Sequence, residues 1–171
     1  MKQWIPYAVA LAALVVTVVL LGVYFYGPVT TVIIARHGER LNDSDTTSLS
    51  PEGRARAEDL ARLVRDAGVV RLYVSDKVRT RQTAEPAAAL LGLAPVIVPE
   101  GDARGLIDSL LSRSGETALV IAHANTIPAI LTGLHIHHRV TIARGVFDDL
   151  FVVTLSPSRA SLLTLKYGRP S

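Results

Sequence analysis

Residues 29–171 are expected to form an α/β domain of three layers, α/β/α, on a mainly parallel sheet, with one N-terminal transmembrane helix before it in residues 1–28. Three observations lead there. From Ile5 to Tyr26 no residue is charged, and a helix needs roughly 20 apolar residues to cross a hydrocarbon core of about 30 Å. Beyond Gly27-Pro28, short aliphatic and β-branched runs alternate with longer runs of helical period, the pattern of βαβ units. Two of the strand-like runs lead directly into a histidine, His37 and His123. In open α/β sheets, ligand chemistry gathers at the carboxyl ends of parallel strands.

The first segment reads as an uncleaved membrane anchor through residues 5–26. Trp4 and Tyr7 flank one end and Tyr24, Phe25 and Tyr26 the other, as interfacial aromatic belts do. A cleaved secretory signal would have a shorter apolar region and small residues before the cut, whereas Leu21-Gly22-Val23-Tyr24-Phe25-Tyr26 is bulky there. A buried core helix is the remaining competitor. The amino terminus and Lys2 favour the inside for the N-terminal end, which puts the domain on the extracytoplasmic side. Arg36 and Arg40, the first charges after the span, weaken that asymmetry. The chain has no cysteine, which is compatible with an oxidising compartment. Its net charge of +3 suits anionic substrates or an anionic lipid surface. No basic run interleaves with aromatics, so nucleic-acid binding is not expected.

The elements follow in order. Residues 29–35 form the first strand, and a polar loop spans 42–48. Ser50 caps a helix that has Pro51 at its first position and Glu52 in its first turn. Ala57, Leu60, Ala61, Val64 and Ala67 recur at helical spacing as its buried face, and Gly68 ends it. Residues 69–74 form the second strand. Residues 77–91 form a helix stopped by Gly92, with a kink or restart expected at Pro86. The third strand is 95–98, then a helix covers 103–112. The fourth strand is 118–122, followed by a helix over 125–132. After a less regular stretch, 133–149, two closing strands at 150–155 and 161–167 are joined by Ser156-Pro157-Ser158 and can pair as a hairpin.

The loops after the four parallel strands carry Arg36-His37, Ser75 leading to Arg79, Glu100 and Asp102, and His123 with Asn125. Two arginines and two histidines at one sheet edge suit a phosphoryl group. Guanidinium forks hold phosphate oxygens in pairs. A neutral imidazole is a competent nucleophile near neutral pH, and a phosphohistidine formed on it can be hydrolysed by water. Cationic side chains supply the needed charge stabilisation without a metal or other cofactor.

At these residues the chain resembles the histidine phosphatase superfamily, which includes the phosphoglycerate mutase-like proteins. Ala35-Arg36-His37-Gly38-Glu39 is similar to its Arg-His-Gly signature. Leu49-Ser50-Pro51-Glu52-Gly53-Arg54-Ala55-Arg56-Ala57 resembles its first helix start. Ser75-Asp76-Lys77-Val78-Arg79-Thr80-Arg81-Gln82-Thr83-Ala84 resembles its Ser-x-x-x-Arg-x-x-Gln-Thr-Ala segment. His123-Ala124-Asn125-Thr126 falls where the second histidine belongs. The compact chain is closer to the short branch, some of whose members act on phosphohistidine. The resemblance implies a phosphoglycerate mutase-like fold and a phosphatase. His37 would be the nucleophile, Arg36 and Arg79 would hold the phosphoryl oxygens, and His123 would stabilise the transition state. Arg81, two residues on, would point elsewhere. The substrate would be a phosphorylated small molecule or a phosphoprotein.

There are departures from the family's pattern. Arg40 stands where many relatives have Thr or Ser. Asn42 lies one residue short of a phosphate-contacting asparagine; it and Asn125 are substrate-binding candidates. The proton donor is open, with Glu100 and Asp102 as candidates. Without a donor, a module that binds phosphorylated ligands without turnover is the rival, and a mutase is a further alternative. His135, His137 and His138 lack a carboxylate to complete a metal set, so a solvated loop is expected there. Asp148 and Asp149 are expected to cap a strand or face solvent, with a place for one of them in the site's lining as the alternative.

Overall fold

The computed structural model describes residues 4–171; Lys2 lies outside the described residues. Helix α1 (Ile5–Tyr26) begins with a proline in its first turn and ends where the Gly27 N–H reaches the Val23 carbonyl. Its 20-residue stretch Tyr7–Tyr26 carries no charge and none of it is buried. α1 is therefore not a core helix of the domain.

Six strands form one sheet. They are β1 (Thr30–Arg36), β2 (Val69–Ser75), β3 (Val96–Val98), β4 (Thr117–Ala122), β5 (Asp149–Ser156) and β6 (Arg159–Lys166). Their order is β3-β2-β4-β1-β5-β6. The first four run parallel, while β5 pairs antiparallel with β1 and β6 antiparallel with β5. The sheet is thus mixed: parallel over β3-β2-β4-β1 and antiparallel at β5 and β6, which a two-residue turn at Pro157-Ser158 joins as the expected hairpin. β1 and β4 lie in the middle, buried on both faces. That is why Val32-Ile33-Ile34-Ala35 and Ala118-Leu119-Val120-Ile121 read as unbroken apolar runs.

Helices α2 (Pro51–Val64) and α3 (Val78–Leu91) cover one face, and α4 (Ala103–Leu111) and α5 (Ile127–Gly133) the other. On the first face Leu60, Ala61, Val64, Ala84 and Ala87 pack on Ile33, Leu119 and Ile121. On the second, Leu106, Leu110, Ile127, Ile130 and Leu131 pack on Ile34, Val120 and Phe151. The layering is α/β/α.

Ser50 caps α2 by accepting the Gly53 N–H. α2 stops at Val64, one turn before Ala67, which is exposed. The turn that returns the chain to β2 uses the left-handed Gly68, with φ of +68°, so this glycine serves the turn and not the helix end. α3 runs through Pro86 without a restart: a proline there removes one amide bond, and burial of Thr83, Ala84 and Ala87 keeps the helix against the sheet. α5 begins at Ile127 rather than at 125, because residues 123–126 are spent in a turn closed by Thr126 Oγ1, which accepts the His123 N–H.

Candidate active site

His37 follows β1 and His123 follows β4, and these strands are neighbours. Arg36 pairs with Ala122 across the ladder, and the His37 N–H donates to the Ala122 carbonyl at 3.0 Å. The two imidazoles therefore stand side by side, 5.1 Å between ring centroids. Each is only 3% exposed, and Arg79 is 5% exposed. Arg79 enters from the first turn of α3, beyond Ser75 at the end of β2.

Hydrogen bonds fix both ring tautomers. The Gly38 carbonyl can only accept, and His37 Nδ1 lies 2.8 Å from it. Nδ1 therefore carries the proton, and the Nε2 lone pair is left free. His123 Nδ1 faces Arg79 Nη2 at 3.4 Å. A guanidinium can only donate, so this Nδ1 accepts and the proton sits on Nε2, which donates to Ser75 Oγ at 2.8 Å. Ser75 is anchored in turn by Thr80 Oγ1 at 2.9 Å. Burial, with smaller contributions from His123, Arg36 and Arg79, lowers the His37 pKa to about 3. Burial, followed by the charges of Arg79 and Lys77, lowers that of His123 to about 4. Both rings are neutral at physiological pH.

The arginines are held from behind. Arg36 Nη1 donates to the carbonyls of Ala143, Arg144 and Val146 at 2.7 to 3.2 Å, and its guanidinium carbon lies 3.9 Å from the centre of the Phe147 ring. Arg79 Nη1 donates to the Asp45 carbonyl at 3.1 Å. The Nε of each is buried without a partner in the protein, an unmet donor of the kind an anion satisfies. Burial and the nearby Arg40 lower the Arg36 pKa, yet an arginine stays charged. Two fixed cations and two neutral imidazoles share one recess.

The loop behind His37 is braced by α2. Arg56 grips Glu39 with Nε and Nη2, and the same guanidinium donates to the carbonyls of Tyr167 and Arg169. The Gly38 N–H donates to Thr83 Oγ1. At the rim, Asp43 bridges Arg40 and Arg144, so residues 42–48 lie across to residues 143–147.

Other expected site residues lie farther out. Glu100 follows β3, with Oε1 4.0 Å from His123 Nε2 and Oε2 3.7 Å from Lys77 Nζ. By strand order it stands beyond His123 from His37. Asp102 accepts the Gly105 N–H and caps α4. Asn42 is exposed, its Oδ1 accepting the Ser44 N–H within the loop. Asn125 is exposed beside Asp76, Lys77 and Glu100 in an outer groove. Arg81 lies on the groove between α3 and β3, away from the recess. His135, His137 and His138 are exposed, and among the described residues no group of three or more His, Asp or Glu side chains is arranged to hold a metal ion. Asp148, instead of facing solvent, is buried and accepts from Lys166 Nζ. Sequence reasoning missed Phe147 and the carbonyls of 143–146. The anchoring role of Ser75 was visible only as a member of a motif.

The family model of the histidine phosphatase superfamily (branch 1) matches residues 32–101. Over those residues the chain carries the pattern of the histidine phosphatase superfamily. No curated protein matches it. Among solved structures, the protein histidine phosphatase SixA complexed with tungstate is similar at 21% identity and a TM-score of 0.67, covering 80% of this chain and 96% of that one. The native mycobacterial glucosyl-3-phosphoglycerate phosphatase is 13% identical with a TM-score of 0.62, over 81% and 98%. The phosphoglycerate mutase from Bacillus anthracis str. Sterne is 14% identical with a TM-score of 0.63, over 81% and 93%. At these identities the likeness is one of fold.

Proposed function

We propose that residues 29–171 are a histidine phosphatase domain and residues 1–28 its membrane anchor. The observation that carries the catalytic reading is the free Nε2 of a neutral His37 beside two guanidinium groups with unmet donors. A phosphoryl group bound by Arg36 and Arg79 lies in reach of that lone pair. The Nε2–P bond forms as the bond from phosphorus to the leaving group breaks, and the developing charge is met by the two arginines and His123. Water then attacks phosphorus, the N–P bond breaks, and inorganic phosphate leaves with His37 neutral again. No step calls on a metal.

A dianion beside His123 reverses the electrostatics that keep it neutral, so Nδ1 gains a proton and becomes a donor to the phosphoryl oxygens. Glu100 is the candidate proton donor for the leaving group. Its place beyond His123, paired with Lys77, favours a leaving group that needs little help, as a phosphohistidine does; a relative of the same fold is titled a protein histidine phosphatase. Phosphohistidine on a protein is therefore the favoured substrate over a phosphomonoester.

The experiment is turnover by the full chain in detergent. Phosphohistidine peptide and p-nitrophenyl phosphate should release phosphate, and His37→Ala should not, while still binding tungstate. Tungstate binding without turnover by the unaltered chain would make this a binding module, and phosphate passed back to a sugar acid rather than to water would make it a mutase. The anchor reading rests on the exposed, uncharged α1 with aromatic ends. A mature protein beginning after Tyr26 would make α1 a signal sequence. Protease access to the domain from outside the cell tests the extracytoplasmic side.

A further inference from the structure

If α1 is the anchor, the chain would meet the bilayer at one end of the sheet, with the phosphoryl recess at the other. α1 ends at Tyr26 and β1 starts at Thr30, so three residues join them. The joint is packed: a Cβ on Gly27 would lie 2.6 Å from Pro157 Cγ, and a Cβ on Gly115 would lie 3.3 Å from Pro28 Cβ. Pro157 is in the β5–β6 turn, beside Thr30 because Thr30 pairs with Leu155. Gly115 precedes β4, which runs parallel to β1. These groups all belong to the base of the sheet. His37, His123 and Glu100 follow the opposite, carboxyl ends of β1, β4 and β3, and Ser75 is the last residue of β2. β1 has seven residues, and at a rise of about 3.3 Å between neighbours it separates base from recess by roughly 20 Å.

Resting on the anchored-phosphatase reading above, we propose that the recess opens away from the membrane and acts on water-soluble phosphoryl carriers, not on headgroup phosphates of the bilayer that holds α1. The three-residue joint and its contacts with Pro157 and Gly115 hold the base of the sheet, not its far end, next to α1. A phosphate monoester at the headgroup plane lies a full strand length below the nucleophile. The anchor then sets where soluble carriers are met, not what is cleaved.

The chain lacks cysteine, so single labels are clean. Ser44→Cys reports the recess end and Ser158→Cys the base; both positions are exposed. Each full-length variant is reconstituted in phosphatidylcholine–phosphatidylglycerol vesicles and labelled from outside with an impermeant dye. Energy transfer to a lipid-borne acceptor is then measured. Transfer from position 158 should be strong, and position 44 should lie farther from the lipid by roughly the length of β1, about 20 Å. Equal transfer from the two positions overturns the proposal. In a second arm, unaltered chain in vesicles containing phosphatidic acid should release phosphate from external p-nitrophenyl phosphate and none from the lipid; comparable release from the lipid also overturns it. Loss of both activities sinks the phosphatase reading, while the distances still decide where the recess stands. Failure of the chain to float with vesicles sinks the anchor reading, and this proposal with it.

Discussion

Gly38 and Gly53 lie so close that neither can carry a side chain. A Cβ on Gly38 would stand 2.7 Å from the Gly53 carbonyl oxygen and 2.9 Å from its Cα, and one on Gly53 would meet the Glu39 amide nitrogen at 2.8 Å. The loop behind His37 thus rests directly on the first turn of α2. Gly53→Ala must separate them by moving backbone. It should cost about 1–3 kcal/mol in urea denaturation and lower turnover, because the Gly38 carbonyl that sets the His37 tautomer moves with the loop. Unchanged stability with full activity would show that the contact is not needed.

Ser75 orients His123 without touching the reacting phosphoryl group. Ser75→Ala should remove about one hydrogen bond of ~1.4 kcal/mol and lower kcat about tenfold. Ser75→Thr should restore most of it. The sign of a positioning role is a shifted acid limb in the pH–kcat profile with KM little changed; a parallel loss of stability and kcat at every pH would mark a purely structural role.

Phe147 holds the face of the Arg36 guanidinium. Phe147→Leu keeps an apolar side chain and removes the ring quadrupole, worth about 0.5–2 kcal/mol. Tungstate should therefore bind about 2- to 30-fold more weakly by calorimetry, with little change in urea midpoint. Equal binding would limit the ring to packing.

Acid should weaken the fold through the paired histidines. In the unfolded chain a histidine takes up a proton near pH 6.5, whereas folded His37 and His123 resist until about 3 and about 4. Between those values the unfolded state binds more protons, so stability is fully present above about 6.5 and falls as pH drops toward 4. The urea midpoint should decline over that window, and the decline should be shallower in His37→Gln/His123→Gln. Parallel slopes would assign the acid sensitivity to carboxylates instead.

The parts of the fold that were readable are those written in local chemistry. β1 and β4 are buried on both faces, so their sequences are unbroken apolar runs, and each delivers its histidine at the strand end. Ser50, Pro51 and Gly92 mark helix ends by their own conformations. Asp102 also carried a cap signal, three residues before Gly105, and the helix-start rule would have separated it from Glu100. What was hidden depends on distant backbone. The acceptors for Arg36 are three carbonyls in 143–146, and any sequence has carbonyls. Phe147 and the Arg56–Glu39 pair acquire meaning only when the last strands close on the sheet. Asn42 and Asn125 were chosen by residue type and position, and both loops turn those side chains outward.

The adjacent rungs of β1 and β4 have a consequence for how activity is gained. Arg36 pairs with Ala122 although residues 37–121 lie between them in the chain. Neither histidine meets the other until that long loop has closed, so no local fragment can assemble the recess. Closure of distant strands is a slow, late kind of event in folding. Recovery of turnover during refolding should then trail the appearance of helix, and catalysis becomes a reporter of the completed sheet rather than of its parts.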